Sequence, residues 1–428
     1  MPAAARRRGG PARGRAAAPR ALQAVAAEPA PAAAAGAGPA KERLLEALAG
    51  AEGRGTKGLD EAQQARVGEL IGELEAAGGV PAPTVSGLLE GRWRLLYTTR
   101  PGTASPIQST FTGVEAFTIY QEICLGVTDR PRVDNVVEFG AFGELRVEAL
   151  ASTDSRPLEG FTPREGDGRI GAWYPLGRSD VSPPSKAESR IDFKFDYAAF
   201  AFRDLAIAVP YPVPFRNPLL ADETKGWLDT TYLDPDGDLR LARGNKGTTF
   251  VLVRDPSPRD ELLDLLADDE AADADVAEAV DALLDAVPLG AKPDLKRNRN
   301  DVRKATGQWK LVWSEQNDQV NPLQAQLTKL KDRAFQTVDV DTVENLVKLV
   351  PGGLVNVRAS AESAITSKDR IAVTIDEVVL EVGPWRLPLR GAARAQDGAG
   401  FLDILYCDDG LRVSRGSKGS LFVHTKGA

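Results

Sequence analysis

Two kinds of hydrophobic spacing take turns along the chain. Leu44, Leu45 and Leu48, then Val67, Leu70, Ile71 and Leu74, recur at helical intervals and predict helices over residues 41–48 and 60–77. Gly78-Gly79, with Pro81 and Pro83 beyond, stops the second helix. From residue 92 to 254 the period drops to two. Trp93, Leu95 and Tyr97 alternate with Arg94, Leu96 and Thr98, and Ile191, Phe193 and Phe195 with Asp192, Lys194 and Asp196. That period predicts strands with two unlike faces. Residues 152–189, rich in Pro, Gly, Ser and charge, read as a long surface insertion. Helical spacing then returns in the acidic stretch 260–287, through Leu262, Leu263, Leu265, Leu266, Val276, Val280, Leu283 and Leu284. This is a helical preface to a second strand-rich run, residues 308–426. Within that run, residues 321–331 break the alternation and place Leu323, Leu327 and Leu330 on one helical face.

The alternation repeats because the sequence does. Residues 228–252 read LDTTYLDPDGDLRLARGNKGTTFVL and residues 402–423 read LDILYCDDGLRVSRGSKGSLFV. In the same order, Gly91-Arg-Trp-Arg-Leu-Leu-Tyr matches Gly307-Gln-Trp-Lys-Leu-Val-Trp, and Val133-Asp-Asn-Val-Val matches Val343-Glu-Asn-Leu-Val. A unit this long is a duplicated domain, not a solenoid repeat. The expected organisation is residues 1–40 as an address or disordered segment, 41–256 as the first domain and 257–428 as a more divergent second. Each unit is mainly β, with helices first and then eight or nine short strands. Short strands joined by turns favour a closed antiparallel barrel or a sandwich, since an open sheet leaves edges to manage.

Composition narrows the function classes. Residues 1–40 hold six Arg and one acid, Glu28, among Ala, Pro and Gly, a composition like that of an organelle transit peptide although it contains no Ser. The remainder has 47 basic and 60 acidic residues, which argues against general nucleic-acid binding. Two cysteines, Cys124 and Cys407, give no disulfide framework or Cys-based zinc site, and the single histidine is His424. No run reaches 18 apolar residues, so any membrane contact is peripheral.

Candidate chemistry clusters in the repeated motifs. A Trp on the first strand of a barrel, preceded by Gly, lies across its closed end, and an Arg from the last strands stacks on it. The candidate pairs are Trp93 with Arg240 or Arg243, and Trp309 with Arg412 or Arg415. The segments Arg243-Gly-Asn-Lys246-Gly and Arg415-Gly-Ser-Lys418-Gly have hairpin chemistry. Each is either a tight turn with a solvated Lys or a grip for an anionic headgroup. Asp234-Pro-Asp-Gly-Asp238 is read as a hairpin turn in preference to a calcium loop. The aromatic stretch 198–215 is either a buried strand and its exit or an apolar patch for a lipid surface.

These landmarks resemble the plastid lipid-associated protein family, also called fibrillins. The resemblance rests on Gly91, Trp93, Leu95 and Tyr97, and on Tyr232, Leu233, Asp234, Leu239, Arg240, Arg243, Gly244, Lys246, Gly247, Thr248, Phe250 and Val251. The second copy departs from it with Trp313 for Tyr97, Cys407 for Leu233 and Ser420 for Thr248. The resemblance implies lipocalin-like barrels in a plastid, at plastoglobules or thylakoids, binding carotenoids, quinones or acyl lipids without a cofactor. The ligand-contact candidates are then Trp93, Tyr97, Arg243 and Lys246, with Trp309, Trp313, Arg415 and Lys418. The rival expectations are an inert structural coat on lipid globules and an enzyme using carboxylates such as Asp229 or Asp403.

Overall fold

Helix α1 (Ala37–Leu48) begins four residues before the expected start, and α2 (Glu61–Ala77) follows it. Asp60 opens α2 with a reciprocal capping box to Gln63, and Gly78 closes it at positive φ. The computed structural model describes the chain apart from residues 1–36, 52–53, 55–57, 100–116, 127, 129, 165–181, 212–223, 316–332, 390–399 and 427–428. The address segment up to residue 36, the helical face at 321–331 and Phe215 lie outside the described residues.

Nine strands follow the first helix pair: β1 (Gly91–Thr98), β2 (Thr118–Cys124), β3 (Arg132–Glu138), β4 (Gly143–Ser152), β5 (Arg190–Phe202), β6 (Ala208–Pro210), β7 (Lys225–Leu233), β8 (Leu239–Gly244) and β9 (Thr249–Arg254). Three helices preface the second set: α3 (Pro258–Ala267), α4 (Asp273–Ala286) and α5 (Arg299–Ala305). Then come β10 (Gly307–Ser314), β11 (Ala334–Val338), β12 (Thr342–Lys348), β13 (Val355–Ile365), β14 (Arg370–Val382), β15 (Trp385–Pro388), β16 (Gly400–Cys407), β17 (Leu411–Gly416) and β18 (Leu421–Lys426).

The two antiparallel sheets have the same strand order. The first runs β4-β3-β2-β1-β9-β8-β7-β5-β6 and the second β13-β12-β11-β10-β18-β17-β16-β14-β15. In each, the first strand of that order also pairs with the eighth, β4 with β5 and β13 with β14. Hydrogen bonding therefore passes round a circuit of eight strands and returns, leaving β6 and β15 as short flaps. The expected insertion at 152–189 falls between β4 and β5, with residues 165–181 of it outside the described residues, whereas β13 ends at Ile365 and β14 begins at Arg370.

Each sheet has an inner and an outer core. Trp93, Leu95, Ile123, Val133, Ala149, Ile191 and Leu252 meet inside the first circuit. On its outer face Leu239, Leu241 and Val251 pack against Val67, Leu70, Ile71 and Leu74 of α2. Burying such a side chain contributes about 1.5–3 kcal/mol, so the outer helices are part of the stability of the fold. In the second unit Trp309, Val338, Val343, Ile371 and Ile404 lie inside, and Val276, Val280 and Leu283 of α4 cover the outside.

One expected face is corrected. A register shift between Leu95 and Tyr97 turns the strand, so Trp93 and Leu95 point inward but Tyr97 joins the helix-facing core. The same shift between Leu311 and Trp313 sends Trp313 outward, where its Nε1 donates to Asp273 at 3.1 Å. One extra residue reverses which side of a pleat each following side chain takes.

Candidate functional site

The Gly-x-Trp step has the same geometry in both units. Gly91 has φ +96°, and a Cβ there would lie 2.6 Å from Arg254 Nη1. Gly307 repeats this, with φ +111° and Lys426 Cε 2.9 Å from a Cβ. The glycine lets a cation from the last strand cross the Trp. Trp93 Nε1 donates to the Leu89 carbonyl at 2.9 Å, and Arg254, 4.3 Å from the ring centroid, donates to the carbonyls of Leu88 and Glu90. In the second unit Trp309 Nε1 donates to the Ala305 carbonyl at 3.0 Å, and Lys426 Nζ to the Lys304 carbonyl at 3.0 Å.

A second cation approaches each Trp. Of the alternatives left open by the sequence, Arg240 and Arg412 take this place, 5.2 Å and 4.7 Å from the ring centroids. Arg240 donates to Gln121 Oε1, and Gln121 Nε2 donates to Asn135 Oδ1 at 3.4 Å. Arg412 donates to Gln336 Oε1, and Gln336 Nε2 to Asn345 Oδ1 at 2.9 Å. This Arg–Gln–Asn chain is the same in both units. Burial, reinforced by Arg254, lowers the Arg240 guanidinium to about 9, and burial lowers that of Arg412 to about 10. Sequence reading missed Gln121 and Gln336; their signal was their register position opposite the repeated Asn135 and Asn345.

The other expected contact residues lie elsewhere. Tyr97 and Trp313 face the helices. Arg243 pairs with Glu75 of α2, its Nε and Nη2 at 2.9 and 2.6 Å from the carboxylate oxygens. Arg415 is exposed. Lys246 and Lys418 sit at hairpin crests closed by Gly244 N–H to the Thr248 carbonyl at 2.8 Å and Gly416 N–H to the Ser420 carbonyl at 3.0 Å. Asp229 and Asp403 are each held by a cross-strand arginine, Arg190 at 3.2 Å and Arg370 at 2.6 Å. The acidic turn at Asp234 is gripped by Lys41 of α1 at 2.8 Å, and its counterpart Asp408 by Arg259 of α3.

A polar join connects the two units. On the outer face of β3 and β4, Arg132 lies 3.3 Å from Glu148 and 3.2 Å from Asp409. Lys304 of α5 reaches Glu148 at 2.6 Å, Asn300 donates to it at 3.1 Å, and Arg303 meets Asp409 at 2.5 Å. Burial alone would raise the Glu148 carboxyl, but Lys304 and Arg132 outweigh it and bring it down to about 2. Burial pushes Asp134 the other way, up to about 6, with Glu148 adding to the shift. Beside the join is a cavity of about 520 Å³ whose lining includes Glu122, Cys124, Tyr197, Lys304 and Cys407. Burial pushes both thiols up to about 12, so they are poor nucleophiles. No sequence signal marked this join, because its residues belong to different copies and do not repeat.

Apolar side chains remain exposed on the flaps. Leu205, Ile207 and Val209 stand out around β6, and Trp385 and Leu387 on β15. Phe200 and Phe202, from the stretch read from sequence as either strand or patch, are half-buried on β5.

The chain matches the PAP_fibrillin family over residues 39–160, 178–253 and 260–425. It is 37% identical over 390 residues, 90% of this chain and 82% of the other, to the "Probable plastid-lipid-associated protein 12, chloroplastic" of Arabidopsis thaliana. It is 33% identical over 234 residues to the "Chromoplast-specific carotenoid-associated protein C1, chromoplastic" of an Oncidium hybrid cultivar, covering 51% of this chain and 69% of that protein. It is 30% identical over 228 residues to the "Chromoplast-specific carotenoid-associated protein, chromoplastic" of Cucumis sativus, covering 51% of this chain and 68% of that one. No solved structure matches.

Proposed function

This chain belongs to the PAP_fibrillin family, and from that premise we propose that it is a non-catalytic plastid protein whose two closed sheets are lipocalin-like barrels that bind or shield lipophilic molecules. The domains are residues 41–256 and 257–428, and the place of action is the plastoglobule or thylakoid surface. The observation that carries the reading is the return pairing of β4 with β5 and β13 with β14 around an apolar inner face. Barrels of about eight strands hold one small ligand. Several inward side chains, among them Phe193, Phe195, Phe250, Ile119 and Val373, are only partly buried, as expected where a lumen is left between the strands. Burying ~10 methylenes there contributes roughly 8 kcal/mol before the costs of binding, enough for micromolar affinity without a charged contact. Relatives named for carotenoid association fit an apolar ligand of this kind. Trp93 and Trp309 are the floor against which it rests.

Native mass spectrometry of the full chain, with extraction of what copurifies, tests this. The expected result is a lipophile at up to two per chain. Two empty, solidly packed sheets would end the reading.

A second reading, a coat on lipid globules, is favoured by the exposed flaps at Leu205, Ile207, Val209, Trp385 and Leu387. The two are compatible if the flaps touch the lipid phase from which the lumens are filled.

A further inference from the structure

Arg240 and Arg412 are wholly buried, and each leaves its Nε and Nη1 hydrogens without an acceptor. Among the described residues neither makes a salt bridge. The groups that do touch them are a tryptophan face and a neutral glutamine. Burying a guanidinium without a counter-charge is costly, and native folds keep such a group only when something pairs with it. A purely structural role does not explain it. The plug across the outer side of each Trp is already supplied by Arg254 and Lys426, which satisfy local carbonyls. The inner arginines are additional, and the whole Arg–Gln–Asn chain recurs in both units although the sequence around it has diverged. It lies on the inner face of the strands, where Arg240 stands opposite Leu252 of the inner core, which in the barrel reading is the floor of the lumen.

We propose that each lumen takes an amphiphile with a carboxylate head, its chain along the apolar strands and its head against Arg240 in the first unit and Arg412 in the second. This rests on the reading of the closed sheets as lipophile-binding barrels. A carboxylate supplies one negative charge, which one guanidinium balances, and accepts hydrogen bonds from the N–H groups left open. A phosphate diester would set the bulk and polar atoms of its further headgroup beside side chains that are apolar in the first unit, Ala242 and Leu252. Gln121 and Gln336 each take up Nη2 through Oε1, which leaves Nε and Nη1 as the donors that the head would meet. The second lumen is the more polar. Ser414 and His424 replace Ala242 and Leu252 beside the arginine, and Ser414 Oγ and His424 Nδ1 also lack partners.

The test is fluorescence titration of the full chain with cis-parinaric acid and with its methyl ester, which differ only at the head. The wild type is expected to bind the acid at least tenfold more tightly than the ester, at two sites. Arg240→Met with Arg412→Met should bring the acid down to the ester's affinity and leave the ester unchanged, and each single variant should lose one acid site. Equal affinity for acid and ester in the wild type, or an acid preference that survives the double variant, overturns the head-group assignment while the lumen stands. If neither probe binds, the lumen reading falls and the assignment with it. Should the double variant not fold, displacement of the acid from wild type by palmitate but not by hexadecanol decides the matter alone, and equal displacement by both overturns it.

Discussion

Lys304 Nζ lies 2.6 Å from Glu148 Oε1, and this pair fastens the last preface helix of the second unit to the outer face of the first sheet. The carboxylate is 4% exposed and its partner 13%, so solvent screens little of the attraction. Removing Lys304 leaves the buried Glu148 with only the longer contact to Arg132 and the Asn300 amide. Lys304→Met should therefore cost about 3 kcal/mol, measured by urea unfolding of the full chain. Glu148→Leu combined with Lys304→Leu should recover most of that loss. A single variant as stable as wild type would show that the pair does not hold the units together.

Acid should loosen both the join and the Asp408 turn of the second unit. The Glu148 and Asp408 carboxyls are both held at about 2 in the fold, against ordinary values of 4.5 and 3.8. A depressed carboxyl contributes stability that is fully present above its unfolded value and is lost as pH falls through the folded one. The melting temperature should drop between about pH 4.5 and pH 2. Asp134, raised to about 6, has the opposite sign: its proton is favoured in the fold, so stability declines as pH rises from about 4 to 6. Asp134→Asn should abolish that decline and leave the acid limb. A flat profile from pH 2 to 6 would contradict both assignments.

Gly290, between α4 and α5, touches backbone. A Cβ there would lie 2.3 Å from the Ile207 carbonyl oxygen and 2.7 Å from the Phe202 nitrogen. Neither can swing away as a side-chain tip could. Gly290→Ala should destabilise the chain by about 1–3 kcal/mol, the usual range for overpacking. The unfolding midpoint in urea reports it, and an unchanged midpoint would mean that the segment does not sit on the β5–β6 flap.

Trp385 on β15 is 72% exposed, beside Leu387 at 53%. A large exposed apolar pair on a flap marks a contact surface. Trp385→Glu should reduce co-flotation with triolein droplets coated in plastid galactolipid several-fold, with the circular dichroism spectrum unchanged. Equal flotation of both proteins would remove this flap from the lipid contact.

Much of this was legible in the order of residues. The duplication, the helical prefaces and the strands follow from periodicity, because a half-buried element must repeat its apolar residues at its own pitch. The Gly-x-Trp step pointed to a cation stacked on each Trp, and Arg240 and Arg412 stood among its possible partners. What escaped depended on single-residue shifts and on distance. The bulges after Leu95 and Leu311 carry no compositional mark, yet they decide that Tyr97 and Trp313 face the helices. Arg243 looked available for an anion until α2 brought Glu75 to it. Arg132, Glu148, Lys304 and Asp409 are ordinary surface types in sequence, and only the docking of one unit on the other makes them a buried set.

That docking also limits the array. The strand registers set Asn345 where Asn135 stands and Arg358 where Arg146 stands, so Ser360 falls in the place of Glu148 and Thr342 in that of Arg132. Like units stacked head to tail can go on adding members without end. Here the socket is present on the first module and absent from the second. A further module docked in the same way would meet Ser360 where its lysine needs an acid.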